Sequence, residues 1–204
     1  AELIPLMTPE DEEEIRKEDV PSVLPILPLR NTVLFPGVVI PITAGRDQSI
    51  KLIKEANKGD KTIGVVAQKN EATEDPGQDD IYQIGTVARI LKILKMPDGN
   101  TMVVLQGKKR FEIEELVQEK PYLKAKVKEV VETLPDKIDT EFKAIIDSVK
   151  DLSLRIIKEN PNLPSEASFA IKNIQSNSFL INFVSSNLNL STEEKQELLN
   201  ITSL

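Results

Sequence analysis

The stretch IGTVARILKILKMPDGNTMVVLQGKKRFEIEELV, residues 84–117, decides the fold class. By periodicity alone, IGTVARILKILKM (84–96) suits either a helix or a strand. Pro97-Asp98-Gly99-Asn100 resolves it, because Asp-Gly between two apolar runs is the signature of a tight hairpin. TMVVLQG (101–107) then returns as the partner strand. FEIEELV (111–117) and YLKAKVKEVVE (122–132) read as further strands, with Lys108-Lys109-Arg110 in a turn between TMVVLQG and FEIEELV. In the last strand Lys124, Lys126 and Lys128 alternate with Leu123, Ala125 and Val127, so one face is basic and the other apolar.

Upstream, VLPILPLR (23–30) and VVIPITA (38–44) are short β-type runs interrupted by prolines, and TIGVVAQ (62–68) has the continuous apolar character of a buried strand. One helix interrupts them: Asp47 is its expected cap, Ile50, Ile53 and Ala56 its apolar stripe, and Gly59 its stop. Residues 21–132 therefore read as a mostly antiparallel β-domain with one or two helices, and so many short strands favour a closed or half-closed barrel.

Pro135 marks a boundary, and residues 136–204 read as a small α-helical bundle. Phe142, Ile145, Val149, Leu152 and Ile156 recur at helical steps over about five turns. Asn160-Pro161 stops that helix. Pro164 opens the next, which carries Ala167, Ala170, Ile171 and Ile174. A third carries Leu180, Phe183 and Val184. The last begins with a Ser191/Glu194 capping box and runs through Leu198, Leu199 and Ile201 to Leu204 without a cap signal, the pattern of a truncated subdomain. Residues 1–20 read as an acidic flexible leader: they hold eight acids and two bases, and Pro5, Pro9 and Pro21 discourage regular structure.

Composition narrows the chemistry. The 204 residues contain no histidine and no cysteine, which excludes Ser-His-Asp and Cys-His catalysis, His-ligated zinc and disulfides. The net charge of −7 sits almost wholly in the leader, so the body is nearly neutral. No apolar run approaches the roughly 18–20 residues of a membrane span, and AELIPLMTPEDEEEIRKEDV (1–20) does not read as a secretory signal. The absence of cysteine suits a reducing compartment, so the expected location is cytoplasmic. No P-loop, GxGxxG or GxSxG occurs, and the acidic run EATEDPGQDD (71–80) lacks the order of a calcium loop.

The segments LPILPLRNTVLFPGVVIPITAGRDQSIKLIKEA (24–56) and VVAQKNEATEDPGQDDIYQIGTVARILKILKMPDGNTMVVLQGKKRFEI (65–113) closely resemble the opening of the ATP-dependent Lon proteases. The most specific pieces are Leu29-Arg30 with Val33-Leu34-Phe35-Pro36-Gly37, and Gly85-Thr86-Val87-Ala88 with the Pro97-Asp98-Gly99 turn. LNLSTEEKQELL (188–199) resembles the helical segment leading toward the ATPase module.

The resemblance implies a PUA-like β-domain followed by helices, a part of the protease that recognises unfolded, damaged or tagged proteins and supports a homohexamer. The family's Walker-type ATPase and Ser–Lys protease modules are absent from this sequence, so no catalytic, metal or cofactor residues are expected in it. ATP and magnesium belong to the missing ATPase domain.

Candidate substrate contacts are Leu34, Phe35 and Pro36 in the first turn, Met96 at the hairpin, and Tyr122 before the last strand. The competing expectation is that Leu34 and Phe35 are core and Pro36-Gly37 only turns the chain. Lys124, Lys126 and Lys128 are candidate polyanion contacts, which keeps a free-standing PUA-like nucleic-acid binder as the alternative; a solvated sheet face competes with it. A cereblon-like ligase receptor is excluded, since its pocket needs cysteines and tryptophans and this chain has neither.

Overall fold

The computed structural model describes residues 7–135, 137–159 and 165–204. In chain order the elements are α1 (Pro9–Lys17), β1 (Val23–Leu29), β2 (Val39–Ala44), α2 (Asp47–Lys58), β3 (Thr62–Ala67), β4 (Ile84–Lys95), β5 (Thr101–Gln118), β6 (Lys124–Val130), α3 (Thr140–Glu159), α4 (Ser165–Asn173), α5 (Asn177–Asn187) and α6 (Thr192–Asn200).

The Asp-Gly hairpin forms as expected. Gly99 sits at φ +89°, Asp98 accepts from the Asn100 amide at 3.0 Å, and the Met96 amide donates to the Asn100 carbonyl at 2.9 Å. The β4–β5 register then runs from Lys95↔Thr101 to Ile84↔Glu112, with irregularities at Thr86/Ala88 and Ile90/Lys92. Pairings β5–β4–β3–β1–β6 return to β5, so five strands close a ring and β2 hangs on β5 outside it. All pairs are antiparallel except β1–β3, which α2 makes possible as a crossover.

Three local readings change. TMVVLQG and FEIEELV are one 18-residue strand, and Lys108-Lys109-Arg110 lies inside it rather than in a turn. The strand passes from β2 and β4 to β6 across that tripeptide, and acidic partners there satisfy its charges. The cap of α2 is Arg46, whose guanidinium donates to the carbonyls of Pro28 (3.0 Å) and Glu74 (3.1 Å), while Asp47 occupies the first turn. The leader is not wholly irregular: residues 9–17 form α1. Thr8 and Asp11 make a capping box and Pro9 takes the first helical position, where its missing N–H costs nothing. Ile15 is the buried residue of α1. Residues 1–6 lie outside the described residues, as does the expected stop and start at Asn160-Pro161 and Pro164.

The helical part packs on the sheet rather than standing apart. Ala170, Ile171, Ile174, Phe179, Leu180, Phe183 and Leu199 share one core cluster with Leu27, Leu34, Phe35 and Leu105. The C-terminal end returns to the sheet's exit, with the Thr133 amide donating to the Thr202 carbonyl at 2.7 Å. α6 carries the expected capping box, in which the Glu194 amide donates to Ser191 Oγ and the Ser191 amide to the Glu194 carboxylate. α3 has the expected length, but its stripe faces outward: Ile145, Leu152 and Ile156 are exposed and the buried contact is Ile146.

Candidate functional site

Leu34 and Phe35 are 2% and 1% exposed, so they are core and not surface contacts. The turn they form is fastened to the sheet. Thr86 Oγ1 donates to the Leu34 carbonyl at 2.6 Å, Gly37 N donates to the Gly107 carbonyl at 2.9 Å, and Gly107 N donates to the Val38 carbonyl at 2.8 Å. A Cβ at Gly107 would stand 2.3 Å from the Phe35 carbonyl oxygen, which explains the glycine there. Pro36 is half-buried beside these.

Tyr122 is also buried. Its hydroxyl donates to Glu55 at 2.5 Å, and this contact with the carboxylate, with burial second, pushes its ionisation from 10.0 up to about 12. Both corrections have one cause: these side chains belong to the core cluster that also takes Phe179, Leu180 and Leu199 from the helices, and large apolar side chains are needed to fill it.

The lysine stripe is engaged by neighbours. Lys128 pairs with Glu112 at 2.9 Å, and Lys126 approaches Glu114 at 3.7 Å. Lys124 lies 5.5 Å from the centroid of the Tyr122 ring, a cation–π contact. Hydrogen bonding to Glu112 raises Lys128 above its ordinary value. Lys126 and Lys128 thus have acidic neighbours, whereas Lys124 has an aromatic one, and all three ammonium groups stay at the surface of the sheet.

Met96 is where a contact residue must be, on the surface, and it has company that sequence reasoning missed. Leu91, Leu94 and Met96 are 49%, 41% and 36% exposed. Leu94 pairs across the hairpin with Met102, which pairs with Thr43 of β2; Lys92 pairs with Val104, which pairs with Pro41. Paired residues project to the same face, so these rows build an apolar patch edged by lysines. The irregularity at Ile90/Lys92 interrupts strict alternation there, leaving Leu91 exposed beside Lys92. β2 pairs only with β5, so its second edge is open among the described residues, and a groove of about 370 Å³ lined by Thr32, Pro41, Thr43, Arg46 and Glu74 runs beside it. The missed signal was two strands' worth of apolar residues on the outward face of a ring whose inward face is already filled.

A second concavity, about 280 Å³, lies between α1, β5, the end of β6 and α5. Arg110 sits at its floor. Its Nε donates to the Leu199 carbonyl (3.0 Å), one terminal nitrogen to Glu132 (3.2 Å) and the other to Asn182 (3.1 Å). Ser178 donates to the other oxygen of Glu132. Burial pushes the guanidinium below its ordinary value and Glu132 opposes that shift. Arg110 is fully used as a clamp between sheet and helices. Lys108 and Lys109 beside it pair with Glu18 (3.4 Å) and Glu129 (3.1 Å). Among the described residues no group of three or more acidic side chains is placed to hold a metal ion, and no helix is long and apolar enough to cross a membrane.

Residues 23–204 match the model of the ATP-dependent protease La (LON) substrate-binding domain. A Lon protease of Flavobacterium johnsoniae is 71% identical over 204 residues, covering 100% of this chain and 25% of that protein. One from Cytophaga hutchinsonii is 54% identical over 198 residues, covering 97% and 24%. The chain therefore spans about a quarter of the length of the curated relatives it matches. Among solved structures, the N-terminal domain of the Mycobacterium avium complex Lon protease superposes with a TM-score of 0.70 at 22% identity, covering 88% of this chain and 90% of that one. A Lon N-terminal domain protein from Xanthomonas campestris gives 0.61 at 18% identity, covering 89% and 91%.

Proposed function

The chain belongs to the Lon protease substrate-binding-domain family, and from that premise we propose that it is the non-catalytic, substrate-gripping part of an ATP-dependent Lon-type serine protease. The grip is the apolar hairpin face. An unfolded protein exposes short apolar segments in extended form, and a patch of Leu91, Leu94 and Met96 with Met102 of β5, on the sheet whose open edge is β2, suits both properties. Methionine adapts to many side-chain shapes, which fits a site that accepts varied sequences. The observation that carries the reading is this exposed apolar patch on a chain matching a substrate-binding domain.

In this reading the strand ring is the PUA-like barrel of the family, and the helices continue toward ATPase and Ser–Lys protease modules that use ATP and magnesium. The whole protein works as a cytoplasmic homohexamer on unfolded, damaged or tagged proteins. The acidic neighbours of Lys126 and Lys128 favour this reading over a nucleic-acid binder.

The natural absence of cysteine makes the test direct. A photo-crosslinker on a single cysteine replacing Leu94 or Met96 is expected to capture a reduced, unfolded test protein, and one replacing Lys128 is not. Equal capture at all three positions refutes the assignment of the face.

A further inference from the structure

We propose that the cleft beneath α1 is a second peptide site, specific for acidic segments bearing one large aliphatic side chain, and that α1 is its tethered occupant. It shares no residue with the hairpin face and does not depend on that face binding substrate.

The family match begins at residue 23, so α1 (9–17) lies outside the matched domain. Yet it covers a cleft whose other walls, Pro36, Lys108, Val130, Val131, Ser178 and Asn182, all lie within it. The cleft has the chemistry α1 needs. Pro36, Val130 and Val131 give apolar wall and Lys108 gives positive charge toward α1, while Lys109 and Arg110 are paired with Glu129 and Glu132 of the same cleft. α1 brings Glu10, Asp11, Glu12, Glu13 and Glu14, then Ile15, then Glu18 just past its end. Ile15 is the buried anchor, and the Glu18 carboxylate lies 3.4 Å from Lys108.

The attachment is thin. The helix itself holds on by one buried aliphatic side chain, with Met7 packed on the core just before it and one ion pair just after it whose acid is half exposed, and a helix of 9 residues has little stability of its own in water. About 280 Å³ of the cleft stays open with α1 in place. What keeps α1 seated is its covalent tether, which supplies an effective concentration on the order of millimolar. A segment in another protein with the same pattern, several carboxylates around a single Ile or Leu, competes for the same walls, and α1 sets the threshold it must exceed.

The test uses the full chain and a fluorescent peptide of residues 7–19 as the probe, read by anisotropy at low salt. Ile15→Asp removes the anchor and Glu18→Lys sets the tether against Lys108; both positions lie outside the matched domain, and Glu18 is exposed. The Ile15→Asp chain is expected to bind the probe at least about tenfold more tightly than the unaltered chain, and Glu18→Lys severalfold more tightly, as removal of a tethered competitor requires. Adding Lys108→Glu and Lys109→Glu to the Ile15→Asp chain, or placing Asp at the Ile15 position of the probe, abolishes binding. Equal affinity in the opened and unaltered chains, absence of binding in both, or binding that survives the Lys108 and Lys109 reversals overturns the proposal.

Discussion

Replacing Arg110 by methionine removes three hydrogen bonds while keeping most of the apolar stem. The guanidinium ties β5 to the Leu199 carbonyl of α6, to Asn182 of α5 and to Glu132 beyond β6. Arg110 is 6% exposed, and Leu199 and Asn182 are buried with it. Stripped of its donor, each buried acceptor costs about 1–3 kcal/mol. Glu132 loses less, because it keeps Ser178 and reaches water at 20% exposure. Relief of the desolvated guanidinium offsets part of this, and breaking a buried pair typically leaves a net loss of about 3–5 kcal/mol. Urea denaturation is expected to show that loss as a fall in midpoint with little change in slope, accompanied by faster amide exchange in α6 (192–200). A loss under about 1 kcal/mol with α6 equally protected refutes the idea that this residue clamps helices to sheet.

Other outcomes follow from the same structure. Gly85→Ala places a Cβ 2.2 Å from the Val65 carbonyl oxygen and 2.5 Å from Val66, so thermal melting is expected to show a loss of about 3 kcal/mol or failure to fold. Tyr122 is stabilised in its neutral form. Its contribution is intact below pH 10 and lost as pH rises toward about 12, so ultraviolet titration of Glu55→Gln brings one of the two tyrosines back toward 10.0 while Tyr82, raised chiefly by burial, stays where it was. Asp11 is held below its ordinary value by hydrogen bonds from Thr8. The cap of α1 is therefore intact above about pH 4 and lost as pH falls further, readable as faster exchange of residues 9–17 under acid. Lys126→Glu with Lys128→Glu is expected to leave binding to a DNA duplex at its baseline across a salt series; a lost, salt-sensitive affinity refutes the compensated stripe.

The β-hairpin, the helix stops at Gly59 and the α6 capping box were legible because each depends on a few adjacent residues. Asp98-Gly99 dictates its turn, and Ser191 with Glu194 dictates its cap, whatever surrounds them. Thr8-Pro9-Glu10-Asp11 carries the same kind of local signal for α1, but proline and dense acidic charge are also the marks of disorder, and only the proline's place at the first helical position separates the two. β5 is different in kind: Lys108-Lys109-Arg110 looks like a turn until Glu18 from one end of the chain and Glu129 and Glu132 from the end of β6 are brought beside it. Parallel pairing of β1 with β3 is likewise invisible without the crossover. Of the candidate contacts, Met96 remains on the surface, whereas Leu34, Phe35 and Tyr122 went to the core. Local sequence reports that a residue is apolar but not whether the core between sheet and helices needs it inside. The patch completed by Leu91, Leu94 and Met102 depends on strand register, which only the folded sheet supplies.

The central claim is that the hairpin face grips unfolded polypeptide. It is tested most directly by the affinity of the chain for a labelled, reduced, permanently unfolded protein, compared with that of the Leu91→Asp and Leu94→Asp double variant. Both side chains are about half exposed, so the double variant is expected to stay folded with only a modest fall in melting temperature. The expected result is a loss of affinity of at least about tenfold, as for removal of two central apolar contacts. Undiminished binding by a correctly folded double variant would contradict the claim.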